Sequence, residues 1–343
     1  MLDTLKALCA LPGVSGMEDA VRAYIRRRAE RCADSVKEDV MGNLIVTKRG
    51  TKRSGRKLML AAHMDEVGLM ITDITREGYL KFGCVGSIDR RILLGKSVKV
   101  GPNLRPGLIG LKAIHLVPKS ERDTVPQVQD MYIDVGASSR EEAEKLVRLG
   151  DTAVFDETAF TFGRMVKAKA IDDRLGCTVL LHLLESELPV DCTFVFTVQE
   201  EVGTRGALAA AFRVKPDVAL IVEGTTAADL PSVKTNKRIC APGEGVVIPF
   251  MDRGTIYDRE LYALLTELAE RNGIPWQTKT YIAGGTDAAA VQRSVGGVQT
   301  AGIAAAVRNI HSPACVAAVD DLQQVYALAY LFLQEMGARY GSL

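Results

Sequence analysis

The stretch CTFVFTVQEEVGTRGA, residues 192–207, contains an apolar run that ends abruptly in two adjacent carboxylates. The run from Phe194 to Val198 is apolar, β-branched and aromatic, which predicts a strand buried on both faces, as in a parallel sheet. Glu200 and Glu201 follow within three residues. The ordinary explanation is that the strand reaches the surface and its charges are solvated. The alternative is that one carboxylate binds a metal ion and the other transfers a proton.

Strands and helices alternate on both sides of this stretch. The segments KLMLAAHMDEVGLMIT, PDVALIVEG and TAGIAAAVRNI have apolar cores typical of strands. Helices are expected from near Asp173, over residues 258–271 and over residues 321–336. This alternation predicts an α/β fold, in which a sheet with parallel strands carries helices on both faces.

Residues 71–161 have a different pattern. Short alternating segments such as GYLKFGCVG and GLIGLKAIHLV are separated by glycine, proline and charged residues. Such spacing predicts a small β-barrel or sandwich inserted into the α/β domain. We therefore expect a catalytic domain formed by residues 1–70 and 162–343, with an inserted β-rich domain between its two parts.

The composition argues against several classes of partner. The 343 residues carry a formal net charge of +1, so neither nucleic acid nor an anionic membrane is expected to bind. No apolar run approaches the length of a membrane span, and the first residues do not resemble a signal peptide. The seven cysteines include no CxxC pair and are odd in number, which favours reduced thiols and a cytoplasmic location.

Side chains that can bind metal ions follow the apolar strands of the α/β domain. In open α/β sheets, ligands gather at the carboxyl ends of the strands, so these side chains are expected to converge. Two of the four histidines are among them. The candidates are His63 and Asp65 after LMLAA, Glu200 and Glu201 after TFVFTV, Glu223 after VALIV, His311 after AAAVRNI, and Asp172 and Asp173 at the start of a helix.

These residue types suit a pair of divalent cations. Imidazole and carboxylate are the ligands that Zn²⁺ and similar ions prefer, and two ions about 3.5–4 Å apart need a bridging carboxylate. Asp172 suits the bridge, because the amino end of a helix favours an ionised carboxylate. Asp65 shares a strand face with His63 and can accept the imidazole N–H that faces away from a metal. A turn after the strand would let one glutamate bind metal while the other acts as general base in a hydrolysis.

Each of these features has an ordinary explanation when it is taken alone. The pattern His-x-Asp often arises by chance, paired glutamates after a strand are usually solvated, and a histidine before Ser-Pro is often only a loop residue. Their joint occurrence at strand and helix ends of one α/β pattern favours the metal site.

Six segments, in this order, resemble motifs of the TET-type di-metal aminopeptidases: AAHMDEVG, KAIDDRLG, VQEEVGTRGA, VEGTTAADLP, GGTDAAA and VRNIHSP. That family is also named glutamyl or deblocking aminopeptidase and, by an older label, endoglucanase M or cellulase M. The resemblance covers nearly the whole chain. It implies a di-zinc exopeptidase-like fold with a PDZ-like inserted domain used in dimer contacts. An insertion between the first histidine and the bridging aspartate favours removal of N-terminal over C-terminal residues.

The resemblance also implies a role for each candidate. Two divalent ions per subunit, zinc or cobalt, would activate a water molecule, with Glu200 as the general base and Asp65 as the partner of a metal-binding histidine. Asp287 in GGTDAAA would lie near the active site and help to shape its substrate end. The peptide between Asp172 and Asp173 would be strained or cis. The implied ligands are His63 and Glu223 as terminal ligands of one ion, Glu201 and His311 for the second ion, and Asp172 as the bridge.

The predicted function is metal-dependent removal of N-terminal residues from short peptides by a homo-oligomer, a tetrahedral dodecamer of dimers. Two alternatives remain. A glycoside hydrolase, as the older label suggests, needs neither two histidines nor a bridging aspartate. The aromatic content of 6% with one tryptophan also provides few surfaces on which sugars stack. A non-catalytic scaffold of the same fold would have no reason to keep every ligand and base position filled.

Overall fold

The structure, a computed structural model, describes residues 1–234 and 237–342. In chain order its strands are β1 (Ser35–Glu38), β2 (Leu44–Lys48), β3 (Arg53–Ser54), β4 (Leu58–His63), β5 (Gly68–Ile74), β6 (Leu80–Val85), β7 (Ser97–Val100), β8 (Arg105–Gly110), β9 (Tyr132–Asp134), β10 (Thr152–Phe155), β11 (Phe160–Phe162), β12 (Met165–Ala168), β13 (Cys192–Thr197), β14 (Val218–Thr226), β15 (Val246–Ile248), β16 (Trp276–Thr278), β17 (Gln299–Arg308), β18 (Cys315–Ala318) and β19 (Gly341–Ser342). Its helices are α1 (Leu2–Ala10), α2 (Asp19–Ala29), α3 (Arg140–Ala143), α4 (Ile171–Glu185), α5 (Arg205–Val214), α6 (Arg259–Arg271), α7 (Ala288–Gln292) and α8 (Val319–Tyr340). Short 3₁₀ helices cover Arg90–Ile92, Ile114–Leu116, Lys119–Glu121 and Val128–Asp130.

The main sheet contains eleven strands within the described residues. Their order is β1-β2-β13-β4-β14-β17-β18-β12-β11, with β15 beside β17 and β16 beside β15. The central strands β13, β4, β14 and β17 are parallel, whereas the pairs toward both edges are antiparallel. The carboxyl ends of the central strands therefore meet at one edge of the sheet, where ligands are expected in such folds.

Helices cover both faces of this sheet, because its central strands are apolar on both sides. In β4, Leu58, Leu60 and Ala62 belong to one buried cluster, and Met59 and Ala61 to another. Helices α1, α2, α4, α6 and α8 pack into the first cluster, and α5 and α7 into the second. The predicted α/β fold is confirmed. No helix in the described part of the chain has the length and hydropathy needed to cross a membrane.

The predicted inserted β-barrel is also present. Six strands close in the order β10-β5-β6-β9-β8-β7 around their own apolar core, which includes Leu69, Phe82, Val98, Ile133 and Phe155. Side chains alternate between the inside and the outside of such a barrel, which explains the alternating sequence pattern.

The barrel begins and ends slightly earlier than the segment 71–161. The segment KLMLAAHMDEVGLMIT, which the sequence pattern predicts to be one strand, forms two strands. The first, β4, ends at His63 in the main sheet, and the second, β5, starts at Gly68 in the barrel. Its last strand ends at Phe155, and the next strand, Phe160–Phe162, belongs to the main sheet. Apolar composition does not reveal the change of sheet after His63, because β4 is buried throughout and β5 begins with the buried residues Gly68 and Leu69.

Candidate metal centre

The ends of three parallel strands lie beside one another at the candidate site. In β4 and β13, His63 is paired with Thr197, so both strands end at the same level. The pairing of β14 with β4 ends at Ile221, two residues before Glu223. Glu223 therefore lies inside β14, not after it as the sequence suggests, but beyond the part of the strand that β4 covers.

Asp172 and Asp173 precede the regular part of α4. The peptide bond between them is cis, and both have non-helical dihedral angles, with ψ of 110° at Asp172 and 41° at Asp173. The Asp173 carboxylate accepts hydrogen bonds from the backbone N–H groups of His63 and Gly176, at 3.2 and 2.9 Å. Both carboxylate oxygens of Asp173 therefore accept hydrogen bonds from the backbone.

The Asp172 carboxylate lies between the two candidate histidines. Its Oδ1 is 3.4 Å from Nε2 of His63, and its Oδ2 is 3.6 Å from Nε2 of His311. The two oxygens of one carboxylate therefore face two different imidazoles. A carboxylate that bridges a pair of cations needs this arrangement.

Each histidine also has a neighbouring glutamate. Oε2 of Glu223 is 3.5 Å from Nε2 of His63, and Oε2 of Glu201 is 3.2 Å from Nε2 of His311. Oε2 of Glu200 is farther away, 4.0 Å from Nε2 of His63. The Glu200 side chain is 13% exposed, compared with 4% for Glu201. The structure thus groups one histidine and one glutamate on each side of the shared aspartate and leaves Glu200 more open to solvent.

The electrostatics of this group fit divalent cations. Asp172 Oδ1 and Glu223 Oε1 are buried without a hydrogen-bond partner. Burial, and then the charge of Asp172, raises the pKa of Glu201 to about 8, and burial also raises the pKa of Glu223. Burial opposes protonation of His311, yet Asp172 and Glu201 raise its pKa to about 9. Buried carboxylates with unpaired oxygens need positive charge beside them, which coordinated cations supply.

A tight turn brings both glutamates to the same side of the sheet, although adjacent residues of a strand point in opposite directions. Gln199 starts the turn with a positive φ of 56°. The N–H groups of Glu200 and Glu201 donate to Oδ1 and Oδ2 of Asp65, at 3.0 and 3.1 Å. The N–H of Gln199 donates to buried Glu18 at 3.2 Å. The sequence pattern does not predict this role of Glu18, because a glutamate directly before a helix belongs to no motif that indicates a contact with the turn.

Asp65 connects this turn to His63. Nδ1 of His63 lies 3.2 Å from the backbone oxygen of Asp65 and 3.4 Å from its Oδ1. The hydroxyl of Ser15 donates to Oδ2 at 2.6 Å. Burial alone would raise the pKa of Asp65, but His63 and these hydrogen bonds hold it below its ordinary value. One ionised carboxylate therefore positions both the histidine and the glutamate turn, a connection that sequence spacing does not reveal.

Replacement of the Asp65 carboxylate by an amide should weaken metal binding without abolishing it. In Asp65→Asn, the N–H₂ group would face the backbone N–H of Glu200 in one orientation and that of Glu201 in the other, so the turn would lose a hydrogen bond. We expect metal affinity or kcat/KM to fall roughly 10- to 100-fold and the free energy of unfolding to fall by about 1–3 kcal/mol. Metal titration, peptide kinetics and thermal unfolding measure these changes. Ser15→Ala, which removes one donor, should have a smaller effect, and unchanged kinetics in Asp65→Asn would contradict this role.

Asp287 lies behind the site and not on its surface. Its side chain is fully buried, and its Oδ2 accepts a hydrogen bond from Oγ1 of Thr197 at 2.5 Å, while its Oδ1 has no partner. Burial raises its pKa to about 6. With no exposed surface, Asp287 has no direct contact to offer a substrate. A role of Asp287 in shaping the substrate end stays a prediction.

Known proteins resemble this chain over almost its full length. A family model described as M42 glutamyl aminopeptidase matches residues 42–328. A putative aminopeptidase of Acetivibrio thermocellus is 40% identical, over 96% of this chain and 97% of the relative. A lysyl aminopeptidase of Pyrococcus furiosus is 32% identical, over 97% of each chain.

Solved structures agree with these matches. Aminopeptidase APDkam598 from Desulfurococcus kamchatkensis superposes with a TM-score of 0.92 and 38% identity, over 97% of this chain and 94% of that chain. The TET1 peptidase of Pyrococcus horikoshii superposes with a TM-score of 0.85 and 36% identity, over 97% of this chain and 99% of that chain. That peptidase assembles into a tetrahedron or a large octahedral shell.

Proposed function

Because this chain belongs to the M42 glutamyl aminopeptidase family and is a metal-dependent aminopeptidase, we propose that it removes the first residue of short peptides at the centre around Asp172. The observation that carries this proposal is the position of the Asp172 carboxylate between His63 and His311. The family match argues against the glycoside hydrolase alternative, since the family and the curated relatives are described as aminopeptidases. The scaffold alternative would leave the convergence of these side chains unexplained.

We propose two ions per subunit, zinc or cobalt. Nitrogen and carboxylate oxygen donors suit both metals. His63 and Glu223 would hold one ion and His311 and Glu201 the other, with the aspartate shared. This assignment gives each ion one imidazole and one glutamate besides the shared carboxylate, and it supplies a partner to the unpaired oxygens of Asp172 and Glu223.

When bound, the ions would polarise the scissile carbonyl and lower the pKa of the attacking water. Glu200 is the general base: its carboxylate accepts a proton as the water oxygen bonds to the carbonyl carbon. It then donates that proton to the amine nitrogen as the C–N bond breaks. Asp65 fixes Glu200 through the backbone N–H, at 3.0 Å, so the base is in place before the substrate arrives.

We also propose an assembly and a location. The likeness to the TET1 peptidase, which assembles into a tetrahedron or an octahedral shell, supports a homo-oligomer. The proposed assembly is a tetrahedral dodecamer built from dimers, and the inserted barrel makes the dimer contacts. The free cysteines of this chain support a cytoplasmic location.

A panel of aminoacyl p-nitroanilides tests the activity. Enzyme stripped with a chelator is expected to lose hydrolysis of every substrate, and zinc or cobalt should restore it, because the buried carboxylates need the cations. Metal content of each sample is measured in parallel, and β-glucan serves as the control substrate. Hydrolysis of peptides that persists in metal-free enzyme, or cleavage of β-glucan, would refute the proposal.

A further inference from the structure

Side chains from other parts of the chain hold the turn that carries the two adjacent glutamates. After β13 ends at Thr197, the backbone N–H groups of residues 198–201 all donate to side chains. The first donates to Asn43 at 3.0 Å, the second to Glu18 at 3.2 Å, and the third and fourth to Asp65 at 3.0 and 3.1 Å. All three acceptors come from the N-terminal part of the α/β domain, so tertiary contacts set the path of this turn.

Asn43 joins the two ends of the turn. Its Oδ1 accepts the N–H of Val198, and its Nδ2 donates to the backbone oxygen of Gly206 at 2.9 Å. The N–H of Gly206 donates to the backbone oxygen of Val198 at 3.0 Å. A Cβ atom at Gly206 would lie 2.3 Å from Oδ1 of Asn43. Both ends of the turn are therefore fixed, and the direction in which Glu200 leaves it depends on the peptide N–H of Gln199 between them.

Glu18 accepts that N–H. Glu18 is 3% exposed, and its Oε1 accepts the N–H groups of both Gln199 and Gly16, the latter at 2.6 Å. Glu18 directly precedes α2, but its side chain forms no capping hydrogen bond with that helix, all of whose residues the structure describes. Helix capping therefore does not explain its burial. Gln199 has a left-handed φ of 56°, which a residue with a side chain keeps only when its surroundings hold it there.

The loop that carries Glu18, residues 13–18, is itself held beside Asp65. The N–H of Glu66 donates to the backbone oxygen of Gly13 at 2.9 Å, and the N–H of Ser15 donates to the backbone oxygen of Glu66 at 3.3 Å. The hydroxyl of Ser15 donates to Asp65. One loop thus supports both carboxylates that accept the N–H groups of residues 199–201. Supporting contacts of this kind keep a catalytic group close to its productive position.

We propose that Glu18 is a positioning residue of the hydrolysis, which fixes the direction of Glu200 through the peptide N–H of Gln199. The inference rests on the proposed role of Glu200 as general base. Because one oxygen of Glu18 accepts both hydrogen bonds, the length of the side chain and its acceptor atom determine the effect, and its charge does not. Asp65 still holds the N–H of Glu201 when Glu18 is changed, so the base is disturbed and the candidate metal ligand is not.

Three variants separate the length of this side chain from its charge, with the aminoacyl p-nitroanilide that the wild type hydrolyses fastest. Glu18→Gln keeps the length and an acceptor oxygen and should keep most of the wild-type kcat. Glu18→Asp keeps the charge but is one methylene shorter, and Glu18→Ala removes the acceptor. We expect kcat to fall roughly 10-fold in Glu18→Ala and less in Glu18→Asp, with KM and metal content near wild-type values. Glu30→Ala, which changes an exposed glutamate at the other end of α2, is the matched control and should leave kcat unchanged.

A double-mutant cycle tests whether Glu18 acts through Glu200. In the Glu200→Gln background the base is already absent, so Glu18→Ala should cause no further loss of the residual kcat. A role of Glu18 in the fold or in metal binding would lower that residual kcat by the same factor as in the wild-type background. Such an additive loss would overturn the inference.

The other outcomes separate the inference from the function beneath it. Wild-type kcat in Glu18→Ala overturns the positioning role, and so does an active Glu18→Asp beside an inactive Glu18→Gln, or a loss of bound metal in proportion to kcat. If Glu18→Ala does not fold, Glu18→Asp serves in both backgrounds. A Glu18→Asp that also unfolds shows a purely structural role and overturns the inference. Wild-type kcat in Glu200→Gln refutes the proposed general base, and the inference with it.

Discussion

Glu200→Gln is expected to produce an enzyme that folds and binds metal ions but hydrolyses aminoacyl substrates roughly 10³-fold more slowly. The amide has the shape of the carboxylate but cannot accept the proton of the attacking water. Its backbone N–H still reaches Asp65, so the turn should survive. Because the loss affects the transition state, kcat should fall while KM changes by a factor of roughly 3 at most.

The control for this experiment is the metal content of the variant. Glu200 is farther from its histidine than the candidate ligands are from theirs, at 4.0 Å, so its replacement should leave the ion-to-protein ratio at the wild-type value. Glu201→Gln, in contrast, changes a candidate ligand and should lower that ratio. A Glu200→Gln enzyme with wild-type kcat would show that another group takes the proton.

Asp172→Ala is expected to remove both ions together and to lower activity by roughly 10⁴-fold or more. The reason is the shared position of this carboxylate, 3.4 Å from one imidazole and 3.6 Å from the other. Without it, each site keeps one imidazole and one glutamate, too few ligands for tight binding. Elemental analysis after dialysis and peptide kinetics at saturating metal measure the two effects.

His311→Ala is the matched control for the bridging position. It removes a ligand from one proposed site only, so one ion should stay bound with His63 and Glu223. Circular dichroism and size-exclusion chromatography establish that both variants keep their fold. Two tightly bound ions in Asp172→Ala would contradict the bridge, and so would loss of a single ion.

Much of the fold follows from local sequence patterns. The apolar runs of β4 and β14 predict buried parallel strands because their residues alternate between two apolar clusters. The same runs predict where chemistry should lie, because parallel strands bring their carboxyl ends to one edge. His63 and Glu223 could thus be named without coordinates. The barrel limits could not be placed to the residue, since apolar residues lie on both sides of residues 63–67, and only the structure shows that the two runs belong to different sheets.

Other features depend on contacts between distant parts of the chain. The two glutamates converge because Gln199 adopts a positive φ and Asp65 binds the next two N–H groups. Spacing alone predicts opposite directions for adjacent strand residues.

The sequence by itself determined the layers of the fold, the barrel between two parts of the α/β domain and the set of candidate metal-binding side chains, because periodicity and strand ends are local properties of the chain. Only the tertiary structure decided how those side chains are grouped around Asp172 and which carboxylate accepts the N–H groups of the glutamate turn. These outcomes depend on sheet register and on hydrogen bonds between segments far apart in sequence, and no local pattern encodes them.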